Sequence, residues 1–413
     1  MLPGLPPYSY SPPVPSYSLE PAPDEETVEL TGRAAAPPTG NYIKTCGRDA
    51  VVLDEQQVGA EFPTYGRSAP INGHVAVEDR ETVSEIVLKI NGKMRLMIAE
   101  DGHASESLAS SLIDESYTLW PPEKSHTSTC PGAVPFSVVL PTQYKDENLV
   151  AHSLPPSYEI RFDAVSFKSS YTISVVITRM RRGKFQFLHK SETIPIKFTY
   201  SPRMRPRRPI QPSSNFLFDV KMMPEEFRQV VWEITPSPES SAEALDLHLF
   251  IPSVEVFGLE DTIPFHVQLS GPVASLRQFF ANPGSAAPVI AVKLVRLLSV
   301  SLKWRVSRSF VIGTARLSAS PPGFSSEADA GTASLDWDGG VRCQADTLVG
   351  MFDTGGVRVR DFFLVKLLPP RLQTKEEFTT LSKLHPIKLV TDSWLDASSF
   401  ELGTSRESAV RRA

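Results

Sequence analysis

Apolar residues at every second position are the feature that most constrains the fold of this chain. In residues 171–178, YTISVVIT, the first, third, fifth and seventh side chains are apolar, and most of those between them are polar. This period of two places one face of a β-strand in a core and the other in water. Such a strand buries about four apolar side chains at roughly 1.5–3 kcal/mol each, whereas ordering each backbone residue costs about 1–2 kcal/mol. The strand therefore requires a second sheet packed against it.

The same alternation recurs in short stretches through the first 200 residues. Residues 194–200 alternate in this way, and Pro195 within them predicts a sheet edge or a bulge, because proline lacks the N–H that an inner strand donates. At least seven short strands separated by turns, without a helical stretch, favour a β-sandwich. The other predicted strands cover residues 27–30, 75–77, 86–90, 94–98, 113–120, 136–140 and 185–187.

Local composition predicts the connections between these strands. Asn91 and Gly92 stand between two alternating stretches, and this dipeptide strongly favours a two-residue hairpin, so we predict a turn there. Residues 34–70, with several prolines and glycines, are predicted to be irregular. The polar residues 102–109 are predicted to form a loop.

Residues 201–215 interrupt the alternation. Between positions 202 and 212 the chain has four prolines and four arginines, so this stretch can be neither a helix interior nor a central strand. We predict an extended linker between two separately packed units. Its arginines are Arg203, Arg205, Arg207 and Arg208.

Beyond this linker the alternation returns. The segments HVAVEDRETVSEIVLKING and LHLFIPSVEVFGLEDTIPFHVQLSG share the order of strand, polar bend and strand. The shared order indicates an internal duplication and favours two sandwiches of one type over one large barrel. Predicted strands cover residues 230–234, 245–251, 263–269, 300–306, 344–351 and 357–367, with a short helix at 275–281.

Composition and charge exclude several classes of protein. The 413 residues suffice for two domains, and 42 basic against 47 acidic residues give a net charge of −5, which offers no general attraction for nucleic acid. The most apolar run, from Pro288, contains Lys293 and Arg296 and is too polar for a membrane span. Three widely spaced cysteines predict neither a disulfide framework nor a zinc site. Since no secretory signal is visible at the N-terminus, we expect a cytoplasmic protein.

No catalytic, cofactor-binding or metal-binding motif is found, so we expect a protein that is not an enzyme. His248 and His266 fall on polar faces of predicted strands, where we expect solvation rather than metal ligation. Residues 336–340, DWDGG, resemble the start of a calcium loop but lack its closing acidic residue, so we expect a turn. Cys46 and Cys343 have no base nearby in sequence and are expected to be unreactive thiols.

Two basic clusters are candidate binding sites. One consists of the four linker arginines, and the other is the predicted hairpin tip after residue 178. Guanidinium groups bind phosphate through paired hydrogen bonds, so either cluster can contact a phosphorylated tail or an anionic lipid. The alternative is that both are solvated, which fits the hairpin better. The hairpin cluster comprises Arg179, Arg181, Arg182 and Lys184.

Several segments, in their order along the chain, carry a family resemblance. They are YGR near Tyr65, VLKINGKMRLMI, PFSVVLP, LPPSYEI, SYTISVVITR and IPIKFTYSPRMRP, then LHLFIPSVEVFGLEDTIPFHVQLSG and VGMFDTGGVRVRDFFLVKLLPP. Over residues 60–395 this succession resembles arrestin-like proteins of the fungal alpha-arrestin kind. The resemblance implies a pair of β-sandwiches that acts as a cytosolic adaptor for cytoplasmic parts of membrane proteins. It also implies recruitment of a ubiquitin ligase whose WW domains bind PPxY motifs.

The sequence departs from this family pattern in three places: its PPxY motif, the tail 396–413, which lacks the proline of a ligase motif, and Ser174. Pro155, Pro156 and Tyr158 belong to its single PPxY motif, which opens a predicted strand, whereas a WW domain needs an exposed polyproline II peptide. We therefore interpret the motif as structural. Residues 1–26 contain PPYSY and PPVPSY without strict PPxY spacing, and we interpret them as a solvated tail. Ser174 stands where better-known arrestins carry an arginine of an inter-domain ionic core, so that phosphate-sensitive switch is not expected.

The sequence thus predicts an all-β protein of two tandem immunoglobulin-like β-sandwich domains in an arrestin-like arrangement. Its predicted function is to link membrane-protein cargo tails to endocytic trafficking or ubiquitination, from the cytoplasm or peripherally at the plasma membrane or endosomes. The alternative is a structural sorting subunit of a coat or retromer-like complex. A hydrolase with an accessory sandwich is disfavoured by the missing motifs. The predicted bounds are a tail at 1–26, a sandwich at 27–200, the linker at 201–215, a sandwich at 216–395 and a tail at 396–413.

Overall fold

The computed structural model describes residues 38–100, 103–122, 128–163, 165–180, 189–210, 216–279, 289–302, 305–320, 331–368 and 378–394. Backbone contacts group Ala35–Ala413 into one compact unit. Its regular structure is almost entirely β-strand in mainly antiparallel sheets, which confirms the predicted all-β sandwich class. The strands predicted at 27–30 and 185–187 and both predicted tails lie outside the described residues.

The first half of the molecule, described from residue 38 to residue 200, consists of two facing sheets and a small hairpin. Its strands are β1 (Gly40–Cys46), β2 (Asp49–Gln56), β3 (Thr64–Tyr65), β4 (Pro70–Ala76), β5 (Val83–Glu100), β6 (His103–Trp120), β7 (Ala133–Val139), β8 (Gln143–Lys145), β9 (Ala151–Ser153), β10 (Tyr158–Phe162), β11 (Val165–Met180) and β12 (His189–Tyr200). One sheet has the order β1-β2-β4-β7, and the other has the order β3-β12-β11-β5-β6 with β10 paired to β11. Leu53 of one sheet and Ile173 of the other are fully buried in a shared hydrophobic cluster, the first core.

The second half, described from residue 216 to residue 394, has the same two-layer construction. Its elements are α1 (Phe216–Met222), β13 (Phe227–Ile234), β14 (Leu245–Pro252), β15 (Val256–Gly258), β16 (Ile263–Pro272), α2 (Val273–Leu276), β17 (Ile290–Ser301), β18 (Arg305–Thr314), β19 (Arg316–Ala319), β20 (Thr332–Val341), β21 (Phe352–Thr354), β22 (Val357–Leu367) and β23 (Leu381–Val390). The sheets have the orders β13-β14-β16-β20-β19 and β15-β23-β22-β17-β18, with β21 paired to β22. Leu249 and Phe363 are fully buried between them in the second core. Short 3-10 turns occupy Arg80–Thr82, Pro224–Glu226 and Arg277–Phe279.

The strand order of the second half repeats that of the first. Strands β13, β14, β16 and β20 take the places of β1, β2, β4 and β7, and β15-β23-β22-β17-β18 takes the place of β3-β12-β11-β5-β6. Even the short parallel pairing recurs, with β3 beside the end of β12 and β15 beside the end of β23. The topology thus extends the duplication that two sequence segments indicated. The predicted domain bounds stay a prediction, because backbone contacts join both halves into one unit.

The predicted turn at Asn91 and Gly92 is wrong. β5 passes through both residues as one strand of 18 residues, and it pairs with β11 so that Gly92 lies opposite Tyr171. Glycine is needed there because an added β-carbon would lie 2.8 Å from the Tyr171 ring. No turn separates the two predicted strands at this point, and the pairing of β5 with β6 continues to Glu100 and His103. The apolar stretches on either side of Asn91-Gly92 are therefore halves of one strand.

Several other local predictions are also corrected. From residue 38 onward, the stretch predicted to be irregular up to residue 70 contains β1, β2 and β3. The polar residues 103–109 belong to the edge strand β6. An edge strand needs few apolar residues, which explains why composition missed it. The strand predicted at 300–306 is interrupted between β17 and β18, and residues 344–351 form no strand. As far as residue 279, the last described residue there, the predicted helix at 275–281 consists of the end of α2 and the 3-10 turn that follows it.

The prediction for Pro195 is confirmed. This residue pairs with Ser174 of β11 on one side of β12. On the other side β3 reaches only Thr199 and Tyr200. Among the described strands, the stretch of β12 that contains Pro195 pairs with β11 alone, which is the predicted sheet edge.

We expect Gly92→Ala to lower the free energy of unfolding by about 1–3 kcal/mol, because the added methyl group overpacks the core. The Tyr171 ring cannot move away easily, since it is 1% exposed and its hydroxyl donates a hydrogen bond to the Pro155 carbonyl. Urea unfolding of the purified protein measures the change. Lys93→Ala, at the next and exposed position, is the control and should change stability by less than about 0.5 kcal/mol. Equal stability of the two variants would contradict the continuous strand.

Candidate binding sites

The arginine segment, residues 201–210, has no regular secondary structure and is held against the end of β23. The Arg203 guanidinium contacts the Asp392 carboxylate at 2.6 Å from Nη2 and 3.0 Å from Nε. The backbone N–H of Met204 donates to the Thr391 hydroxyl at 2.8 Å, and the Asp392 N–H donates to the Met204 carbonyl at 3.0 Å. These contacts fix the start of the segment to the second half.

The end of the arginine segment is held near the turn that follows α1. Arg208 lies 3.6 Å from the Glu226 carboxylate and donates to the Ser253 hydroxyl at 2.8 Å. Its side chain is 48% exposed and that of Arg203 is 55% exposed, so both guanidinium groups remain accessible to solvent. Arg207 is also exposed, and Arg205 is half-buried. The structure therefore brings the four predicted arginines together along one extended stretch.

The second basic cluster is only partly described. Arg181 and Arg182, together with Lys184, lie outside the described residues. Arg179 is engaged elsewhere, because its guanidinium donates to both oxygens of Asp49 at 2.9 Å. Burial raises the pKa of Asp49, and Arg179 lowers it in part. Since Asp49 belongs to β2 and Arg179 to β11, this pair ties the two sheets of the first half together.

The PPxY motif is built into the first half. Pro155 and Pro156 are buried, and their carbonyls accept hydrogen bonds from the Tyr171 hydroxyl and from Ser169 Oγ. The Tyr158 ring lies edge-on against Phe352, with the ring centres 5.8 Å apart. Burial raises the pKa of Tyr158. In this structure the motif does not form an exposed polyproline peptide.

Tyr158 belongs to an aromatic junction between the two halves. Phe167 of β11 stacks on Phe352 of β21 at 6.2 Å, and Phe162 of β10 contacts Phe310 of β18 at 5.7 Å. The first core also continues into the second half, where it takes in four buried side chains. These are Leu298, Val300, Val357 and Val359.

A buried ion pair lies where the first core gives way to the second. Arg296 of β17 and Asp361 of β22 are opposite each other, with Nε–Oδ1 and Nη2–Oδ2 distances of 2.8 and 3.0 Å. Their side chains are 6% and 1% exposed. A further Arg296 nitrogen donates to the Val349 carbonyl at 2.8 Å. Burial lowers the pKa of Arg296, but the hydrogen bonds to Asp361 produce a net increase. Burial raises the pKa of Asp361, and the contacts with Arg296 offset this only in part. The two-pronged geometry favours the ionised pair.

The sequence predicted that His266 is solvated, and this prediction is wrong. The residue is fully buried. Its Nδ1 lies 2.8 Å from an oxygen of Asp338, and its Nε2 lies 3.0 Å from an oxygen of Asp336. Asp336 also accepts hydrogen bonds from Gln268 and Ser334. The polar face of β16 is therefore covered at His266, which the alternation of residues alone could not show.

The predicted turn at residues 336–340 is wrong, because these residues belong to β20. Within the described residues no group of three or more His, Cys, Asp or Glu side chains is arranged to hold a metal ion. His248 is half-buried between Gln229 and Ser270, at 2.9 Å from each. Both of its ring nitrogens are thus used in contacts with neighbouring strands.

The three cysteines are free thiols, and the pKa of each is raised above its ordinary value. Cys46 donates to a Glu192 oxygen at 3.1 Å, and this hydrogen bond raises its pKa. Burial raises the pKa of Cys130, and it raises the pKa of Cys343 to about 11. A protonated thiol is a poor nucleophile. The geometry agrees with the predicted lack of reactivity at Cys46 and Cys343.

Comparison with known proteins does not identify the chain. No protein-family model matches it, and no curated protein matches it. In the described part of the chain, no helix has both the length and the apolar character needed to cross a membrane. The likeness to arrestins thus rests on the sequence segments quoted above.

We expect replacement of either partner in the Arg296–Asp361 pair to lower the free energy of unfolding by about 3–5 kcal/mol, since one buried charge is left uncompensated. The double variant Arg296→Met/Asp361→Leu should recover much of this loss, because it leaves no buried charge. Urea unfolding of the three variants measures both effects. Arg358→Met breaks the exposed pair with Asp353 and should cost less than about 1 kcal/mol. If either single variant at Arg296 or Asp361 is as stable as the Arg358→Met control, the buried ion pair does not stabilise the fold.

Proposed function

We propose that this protein is a non-enzymatic, arrestin-like adaptor that binds cytoplasmic parts of membrane proteins and links them to endocytic trafficking or ubiquitination. The observation that carries the proposal is the repetition of one sandwich topology on both sides of an arginine- and proline-rich segment. This is the arrangement that the family resemblance implies. Adaptors of this type act by presenting surfaces, so the function depends on side chains that a partner can reach.

The arginine segment is the surface that we propose as a contact for phosphate groups, either on a cargo tail or on an anionic lipid. Arg203 and Arg208 already face carboxylates, and both guanidinium groups are about half exposed. The Arg208–Glu226 contact, at 3.6 Å, is the weaker one, and surface pairs of this kind contribute about 0–1 kcal/mol. Arg203 holds Asp392, which is 13% exposed, in two-pronged geometry, so this pair is the stronger one. A phosphate, which accepts paired hydrogen bonds from guanidinium groups, can therefore replace Glu226 at Arg208 and can approach Arg203 from its exposed side.

We expect the double variant Arg205→Gln/Arg207→Gln to bind phosphoinositide-containing vesicles about 30-fold more weakly than the unmodified protein. Each arginine near an anionic surface contributes about 1 kcal/mol, and two such contributions correspond to this factor. These positions leave the Arg203–Asp392 and Arg208–Glu226 contacts intact. Vesicle sedimentation at fixed salt measures the affinity.

A matched control removes the same charge elsewhere on the surface. Arg95→Gln/Arg161→Gln replaces two exposed arginines of the first half and should leave vesicle binding within about twofold. If both double variants bind alike, a specific role of the arginine segment in lipid binding is ruled out. A phosphorylated peptide replaces the vesicles in a parallel titration and separates the two sources of phosphate.

The proposal also includes the recruitment of a ubiquitin ligase. The burial of Pro155 and Pro156 argues against direct capture of this PPxY motif by a WW domain. Residues 1–26, with PPYSY and PPVPSY, are the remaining segment with groove-binding character. A ligase would therefore bind through those residues or through a separate partner.

We expect isolated WW domains to capture a free peptide of residues 152–161 but not the folded chain through the same motif, because folding buries both prolines. The measurement is a pull-down with the peptide, with the whole chain and with a peptide of residues 1–26. The matched control is the Tyr158→Ala form of the first peptide, which lacks the tyrosine of the motif. If the WW domains capture neither the whole chain nor the peptide of residues 1–26, direct recruitment of a ligase is ruled out.

A second candidate is a structural sorting subunit of a coat or retromer-like complex. The continuity of the first core into the second half favours it, since halves joined by shared buried side chains suit a rigid scaffold. Proximity labelling in the native cell followed by purification distinguishes the two. An adaptor should yield membrane cargo and ligase in variable amounts, whereas a coat subunit should yield the same partner subunits in fixed ratio.

A further inference from the structure

The outer face of the sheet β13-β14-β16-β20 is covered by α1 at one end. There the Phe216 ring stacks over His266 of β16, which is 0% exposed, with the ring centres 6.4 Å apart. Towards the other end of the face, Val231 of β13 is 50% exposed, and Glu233 and Asp246 are exposed as well. A partner can therefore reach the part of the sheet that lies beyond α1.

Two rows of side chains form this accessible part, and the register of the strands determines their members. One row contains Glu233, Asp246, Ser270 and Ser334, and the next contains Val231, His248, Gln268 and Asp336. Three of these eight side chains are carboxylates, and none is a lysine or an arginine. We call the two rows together the acidic face.

The histidines of this sheet compensate only part of the negative charge. Both ring nitrogens of His266 lie within 3.0 Å of carboxylate oxygens, so both donate, and the resulting imidazolium compensates Asp336. Burial lowers the pKa of His248, so its ring is neutral at pH 7. Glu233 and Asp246 form no ion pair with a described residue, although they lie directly opposite each other on neighbouring strands. Like charges in this position repel, and a bound cation removes that repulsion.

A groove of about 680 Å³ adjoins the acidic face where β14 and β20 begin and β16 ends. Its lining includes Asp246, Gln268, Ser270 and Ser334 of the acidic face. Glu243 lines it from the loop that precedes β14. This loop is held in place, because the Glu243 N–H donates to Ser275 Oγ at 2.9 Å. The groove thus adds a further carboxylate to those of the sheet.

The polar groups around the groove are suited to a ligand that carries positive charge and hydrogen-bond donors. Carboxylates only accept hydrogen bonds, and Ser334 already gives its proton to Asp336, so its oxygen is left to accept. A lysine ammonium or an arginine guanidinium consists of donors and a positive charge. Val231 lies two residues from Glu233 on the same face of β13, where the aliphatic part of such a side chain can pack on it.

We propose that the acidic face and its groove bind a lysine- or arginine-rich segment of a partner protein. Charge complementarity selects this occupant, because the same carboxylates repel a phosphorylated peptide and the anionic surface of a membrane. The source of the segment rests on the proposed adaptor function, since cytoplasmic loops next to membrane spans carry an excess of lysine and arginine. The acceptor chemistry of the face does not depend on that function.

The test titrates the full chain with a short fluorescent peptide of alternating lysine and serine at low salt, and with its counterpart in which glutamine replaces lysine. Fluorescence anisotropy measures both affinities, and the lysine peptide should bind at least tenfold more tightly. Glu233→Gln/Asp246→Asn should weaken binding of the lysine peptide by about fivefold or more, because it removes two surface charge contacts. Its midpoint in urea should be no lower than that of the unmodified protein, since the variant also removes a repulsion.

A matched control separates the acidic face from the net negative charge of the chain. Glu61→Gln/Glu147→Gln removes two exposed carboxylates of the first half and should leave binding within about twofold. Equal affinity for the two peptides, or equal weakening by the two double variants, would overturn the proposal.

Proximity labelling in the native cell distinguishes this inference from the adaptor function. If the lysine peptide binds as expected but no membrane protein is labelled, the adaptor function fails and the cation-binding face stands. If Glu233→Gln/Asp246→Asn labels the same membrane proteins to the same extent as the unmodified protein, the assignment of this face to cargo is wrong and the adaptor function stands.

Discussion

The structure depends on two strands that serve two cores at once. Along β17 the inward-facing side chains run from Val292 in the second core to Val300 in the first, and Arg296 lies between them. On β22 the inward-facing side chains likewise belong to the first core before Asp361 and to the second core after it. At the crossing both side chains are almost fully buried, with Arg296 6% and Asp361 1% exposed. The charges there must consequently neutralise each other, which the two-pronged geometry of arginine and aspartate allows.

The repeated topology also determines how the edges of the sheets are covered. Among the described strands of each half, the one that pairs with the outer side of a long strand is short and parallel, β3 or β15, and lies near the end of that strand. Pro195 of β12 and Pro386 of β23 lie on the parts that these short strands do not reach. A proline withholds the N–H that a further strand would accept, and so it protects an open edge from pairing with another chain. Both halves thus use the same device.

The groups suited to recognition lie outside the two cores. The PPxY motif, which has the composition of a ligand, is used by the fold through the carbonyls of Pro155 and Pro156 and the ring of Tyr158. The arginine segment differs, because its guanidinium groups remain about half exposed although Arg203 and Arg208 contact carboxylates of the second half. This contrast in burial is the reason that the proposed partner contacts rest on the arginines and not on the motif.

The alternation of apolar residues determined which face of most strands is buried, because a period of two needs no knowledge of the partner strand. It determined the all-β class and placed Pro195 at an open edge. Arg296 and Asp361 stand at inward positions of their alternating stretches, so the sequence contained a signal for a buried charge pair, but not its pairing. Only the tertiary structure decided that Asn91 and Gly92 lie inside a strand and that His266 is covered. The Tyr171 ring requires a glycine opposite it, and Phe216 covers the imidazole. Both contacts join residues that are distant in sequence, so no local pattern records them.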